Sequence, residues 1–66
     1  MKANRNKLFL AMARACLNSR ELAEKTGMPR PTVNNVITGK NVRPASLGTV
    51  AKALGVDVAD IIETEE

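Results

Sequence analysis

Five residues between Arg30 and Thr38 carry side chains suited to work on another molecule: Arg30, Thr32, Asn34, Asn35 and Thr38. Val33, Val36 and Ile37 stand among them at i, i+3, i+4, so a helix here would bury the three apolar residues and leave the polar ones outside. An ordinary exposed helix face is filled with Glu and Lys. This one holds no acid, and none occurs anywhere between Lys25 and Val56. Asn and Thr are poor helix formers, so propensity does not explain them. Hydrogen bonding at a base edge does. Asn can bond adenine bidentately, Arg can fork onto guanine, and a threonine methyl can meet the thymine methyl. A surface without carboxylates also avoids repelling phosphates.

Bond-making chemistry finds no support. The chain has no histidine, so imidazole catalysis and His–metal ligation are absent. Cys16 is the only cysteine, which excludes an internal disulfide, and nothing resembles a metal site. Carboxylates cluster only in the acidic tail, and no nucleophile has a base nearby. No enzyme activity, cofactor or metal is expected. Cys16 sits near an apolar face, where a small packed thiol is the usual explanation.

The charge is uneven. Residues 1–43 carry nine Lys/Arg against two Glu, a balance of +7, and residues 44–66 carry Lys52 against five acids, a balance of −4. The net +3 therefore hides a basic two-thirds and an acidic end. Such asymmetry suits either solubility or a positive face for a polyanion. Sixty-six residues make one domain with a thin core. The longest apolar run, Leu8 to Ala13, is six residues, too short for a membrane span or a signal peptide. A soluble, cytoplasmic protein with no membrane partner is expected.

Helical spacing fits nearly the whole chain, and no strand signal stands out. A first helix is expected over Lys2 to Cys16, with Leu8, Ala11, Met12 and Ala15 inward and Phe9 widening that face. A second starts at Asn18, a good N-cap, with Glu21 at the capping-box spacing. It runs Ser19 to Thr26 and stops at Gly27. A third begins near Arg30 or Pro31 and is closed by Gly39. Lys40 to Pro44 reads as a short basic loop. A fourth covers about Ala45 to Leu54, burying Leu47, Val50, Ala51 and Leu54, with Gly55 as its stop. Asp57 can cap a last helix from Val58 to about Glu63, burying Val58 and Ile61, with 64–66 frayed. Leu10, Ile61 and Ile62 fit either a dimer surface or simple core completion and scattered exposure.

Two short helices joined by a turn at Gly27 define a helix-turn-helix over about 18–38. Here the sequence resembles the Cro-like, or XRE-family, helix-turn-helix domain of phage and bacterial repressors. The likeness spans about Leu8 to Ile62. It rests on Leu17-Asn18-Ser19-Arg20-Glu21-Leu22-Ala23-Glu24-Lys25-Thr26-Gly27-Met28-Pro29, on Thr32-Val33-Asn34-Asn35-Val36-Ile37-Thr38-Gly39-Lys40, and on Ala51-Lys52-Ala53-Leu54-Gly55-Val56-Asp57. The resemblance implies an all-α, lambda-repressor-like bundle of five short helices in one domain, 1–66. It places the third helix in the major groove of double-stranded DNA. It implies base contacts from Arg30, Pro31, Thr32, Asn34 and Asn35, and phosphate contacts from Ser19, Thr38, Lys40, Asn41 and Arg43. Phosphate contacts set register, and base contacts set sequence.

Three positions depart from the family pattern. Met12 and Ile37 stand where many members have an arginine–glutamate pair, so an apolar contact between them is expected in its place. Pro29 replaces a frequent capping serine. Pro31 replaces a frequent polar base reader and offers apolar contact only, which favours Arg30 and Asn35. Arg30 can still be a phosphate contact or a solvated charge, and one of Asn34 and Asn35 can face the backbone. The expected function is a transcriptional regulator acting as a repressor, a homodimer on an inverted-repeat operator, with no small-molecule ligand. Two rivals use the same features: an antitoxin-type regulator of a toxin–antitoxin pair, and a protein-interaction adaptor that no longer binds DNA. Little chain beyond the bundle counts against the first, and the acid-free surface against the second.

Overall fold

The computed structural model describes residues 2–63. Four α-helices follow one another: α1 (Arg5–Ala15), α2 (Ser19–Thr26), α3 (Arg30–Ile37) and α4 (Pro44–Leu54). A single 3-10 turn, Val58–Asp60, closes the bundle. The described residues contain no strand, only one isolated antiparallel bridge between Ala3 and Ile62.

Each helix begins and ends for a local reason. Asn4 caps α1 by accepting from the Lys7 N–H at 3.0 Å. Helix α2 has the expected reciprocal capping box: Asn18 Oδ1 accepts from the Glu21 N–H at 2.8 Å, and Glu21 Oε1 accepts from the Asn18 N–H at 3.0 Å. Gly27 then takes φ +73°, which ends α2 and turns the chain. Cys16 ends α1 in the same left-handed region at φ 59°, although it carries a β-carbon.

The core is wholly apolar among the described residues. Leu8, Leu22, Val33, Val36, Leu47 and Val50 form its centre, each essentially without exposed surface. Every helix contributes, which is how so short a chain makes one core. Met12 is buried and Ile37 is half-buried against the same cluster, so both positions of the replaced ion pair pack on the core.

The structure corrects several expectations. The first helix starts at Arg5 and not at Lys2, because the residues before it run alongside the end of the chain. The Asn4 N–H donates to the Ile61 carbonyl at 2.8 Å, and the Glu63 N–H donates to the Lys2 carbonyl at 2.9 Å. The same clasp removes the fifth α-helix. Beyond Asp60 the backbone pairs with the N-terminal segment, so only the 3-10 turn remains. Ala3, an unexpected core residue, is buried beneath this clasp. Ile61 is fully buried and so is lost as a dimer surface, while Ile62 is half-buried. Phe9 does not widen the inner face; it is 44% exposed, beside Leu10 at 53%. Cys16 is exposed, not packed. The expected frayed tail, 64–66, lies outside the described residues. No described helix is long and apolar enough to cross a membrane.

Gly48 lies inside α4, and a β-carbon there would meet nothing within 4 Å. Gly48→Ala should therefore raise stability by about 1 kcal/mol through helix propensity alone. A thermal melt should shift upward by roughly 4–8 °C. A downward shift would show that the outer side of α4 is packed.

Candidate nucleic-acid interface

Helix α3 turns Val33 and Val36 inward. Arg30, Pro31, Asn34 and Asn35 are exposed, and Thr32 is half-buried. The four expected base readers other than Thr32 thus share the open side of one helix. Neither amide of Asn34 and Asn35 has a partner among the described residues, so both are free to bond a base edge.

The end of α3 is built to hold its loop. The Gly39 N–H donates to the Val36 carbonyl at 3.2 Å, and the Lys40 N–H donates to the Asn35 carbonyl at 3.0 Å. Gly39 has φ +81°, as such a closure requires. The Lys40 backbone is therefore fixed to α3 while its side chain is exposed. Thr38 donates its hydroxyl to the Asn34 carbonyl at 2.8 Å, with the Asn35 carbonyl at 3.3 Å. That hydrogen is already engaged, so Thr38 would have to release it to donate to a phosphate. Asn41 and Arg43 are exposed in the loop, and Arg43 is also the N-cap residue of α4. Ser19 stands half-buried at the first position of α2.

Helix termini add to the positive field. The starts of α1 and α2 are closed by Asn4 and Asn18. The starts of α3 and α4 have no side-chain cap, carry proline in the first turn and contain no acid there. Their partial positive charges face outward unneutralised, one at each end of the stretch from Arg30 to Arg43. The start of α3 also borders a shallow hollow of about 480 Å³, lined by Arg20, Glu24 and Arg30 with the turn residues Gly27, Met28 and Pro29. Arg20 was not among the residues expected from the sequence. Its contact with Glu24, 3.8 Å at an exposed i,i+4 spacing, resembles an ordinary surface pair. Only the fold brings it beside Arg30. Among the described residues no cluster of His, Cys, Asp or Glu could hold a metal ion.

The model of the Cro/C1-type HTH DNA-binding domain matches residues 7–66. The chain belongs to this family. No curated protein matches it in sequence. Two solved structures share the fold. One is a mutant of hydroxyethylphosphonate dioxygenase, 20% identical, with a TM-score of 0.82 over 100% of this chain and 14% of that one. The other is Streptomyces albus HEPD with 2-hydroxyethylphosphonate and Fe(II) bound, 26% identical, with a TM-score of 0.72 over 94% of this chain and 15% of that one. The chain thus spans about one-seventh of the length of those enzymes.

Gly39→Ala should destabilise the protein by about 1–2 kcal/mol, because a β-carbon at positive φ is strained. It would also stand 3.4 Å from the Arg5 side chain. A denaturant melt reads the loss; an unchanged midpoint would mean that this turn is not held in the left-handed form.

Proposed function

We propose that the chain is a sequence-specific double-stranded DNA-binding transcriptional regulator that acts as a repressor in the cytoplasm. The observation that carries this is the family match over residues 7–66 together with an α3 outer face free of acids. Residues 1–66 act as one domain, with the helix-turn-helix at about 18–38. Helix α3 enters the major groove. Arg30 and Asn35 read base edges, with Asn34 and Thr32 beside them and Pro31 in apolar contact. Ser19, Lys40, Asn41 and Arg43 grip phosphates on either side, and Thr38 joins them if its hydroxyl turns outward. Two copies bind an inverted-repeat operator and occlude polymerase or another regulator. Binding is the whole activity: no catalysis, cofactor or small-molecule ligand enters this reading.

The adaptor reading is favoured by one observation. The same fold stands inside two much longer chains, a hydroxyethylphosphonate dioxygenase and the Streptomyces albus HEPD. In that reading the bundle contacts protein and not DNA. Selection of bound sequences from a random duplex pool separates the two. An enriched inverted repeat, with half-sites about one helical turn apart, is expected for a dimeric repressor. No enrichment, with only weak salt-sensitive binding, would favour the adaptor.

On the selected duplex, Arg30→Ala should cost about 1–3 kcal/mol and relax one base position. Lys40→Ala should weaken binding to all duplexes alike and reduce the salt slope by about 1. Equal effects of both changes on selected and random DNA would remove base reading from Arg30.

A further inference from the structure

Arg5 opens α1 and lies well before the other DNA-facing residues in the chain. The fold brings it beside the turn that follows α3. Its Cγ lies 3.4 Å, and its Cδ 3.6 Å, from the point where a β-carbon on Gly39 would stand. Gly39 joins α3 to Lys40. The Arg5 stem therefore lies against the turn between the reading helix and the basic loop.

Several features keep it there. Asn4 caps the turn of α1 in which Arg5 stands. Ala3, two residues earlier, is buried and bridged to Ile62, and the carbonyl of Ala3 is itself 3.6 Å from the same point at Gly39. The segment before α1 is thus pinned both to the chain end and to the turn after α3. Gly39 serves this turn through its φ of +81°, and the Arg5 stem and the Ala3 carbonyl pack beside it at ordinary contact distance. Arg5 is exposed and has no ion pair or side-chain hydrogen bond among the described residues. Glu63 lines the same hollow as Arg5 but does not pair with it. An arginine packed by its stem, whose guanidinium donors find no acceptor among the described residues, is prepared for an anion.

We propose that Arg5 is a DNA-backbone contact, its guanidinium binding a phosphate beside the one gripped by Lys40. The inference rests on the DNA-binding function proposed above. A phosphate is the target and not a base, because Arg5 sits at the C-terminal end of α3, away from Arg30 at its start. Helix, loop and N-terminal segment would then close on one strand together, which the order of residues in the chain does not suggest.

Arg5→Gln keeps most of the stem and removes the charge. Binding of this variant to the selected duplex and to a scrambled one is measured across a salt series, with thermal melts alongside. The expected result is an equal loss on both duplexes and a log K against log salt slope shallower by about 0.9, so that wild type and variant converge by about 3.5-fold between 50 and 200 mM salt. Arg5→Lys should restore the slope, and the melting temperature should not move. If Gln disturbs the turn, Arg5→Met, with its aliphatic stem, carries the same comparison against Arg5→Lys. An unchanged slope, while Lys40→Ala still lowers it, overturns the role of Arg5 and leaves the DNA-binding function standing. Absence of duplex binding by the wild type overturns both.

Discussion

Leu22 on α2 and Val33 and Val36 on α3 meet Leu47 and Val50 of α4 in one core, and the remaining structure depends on that burial. A chain of this length has no second core to fall back on. Truncating one such leucine to alanine costs about 2–5 kcal/mol, a large part of the 5–15 kcal/mol typical of a folded domain. The inner stripe of α3 is therefore committed to packing. The outer stripe is released from it, so Arg30, Asn34 and Asn35 can be chosen for what they touch outside the protein.

The treatment of helix ends follows the same division. Asn4 and Asn18 close the starts of α1 and α2 with their own side chains. The starts of α3 and α4 are left without such caps and without acids. Forgoing a cap typically sacrifices about 1 kcal/mol. The proline in each first turn offsets part of this, since its missing N–H would have had no intrahelical partner. The result is two positive helix ends and a set of cations from Arg30 to Arg43, in a stretch of chain that itself holds no acid. Clefts and faces of one sign attract a polyanion before any specific contact forms.

Local rules made the middle of the molecule legible from its residues. The capping box of Asn18 and Glu21, the stop at Gly27, the stripe of Val33 and Val36, and the closure at Gly39 are each determined by neighbours within one or two turns. The two ends of the chain were not legible in this way. Ile61 and Ile62 have the composition of a helix, yet pairing with the segment around Ala3 prevents one, and that pairing joins residues at opposite ends of the sequence. The same long-range clasp makes Ala3 a core residue and sets Arg5 beside Gly39. Phe9 deceived for the converse reason: an aromatic residue next to a buried stripe is not thereby buried, and here it stays at the surface. Cys16 ends α1 in a conformation usually left to glycine, and no composition rule anticipates that. On the interface, the side chains of α3 could be assigned to the outer face from periodicity. The neighbours of Arg30 and Lys40, namely Arg20 and Arg5, required the folded arrangement.

The most direct test of the account is to follow the backbone amide resonances of the protein during titration with its selected duplex. The largest shifts should fall at Arg5 and Ser19, at Arg30 and from Thr32 to Asn35, and from Lys40 to Arg43, while Leu10 and Lys52 stay near their free positions. Shifts centred on Phe9 and Leu10 with α3 unmoved would contradict the claim that α3 is the reading helix.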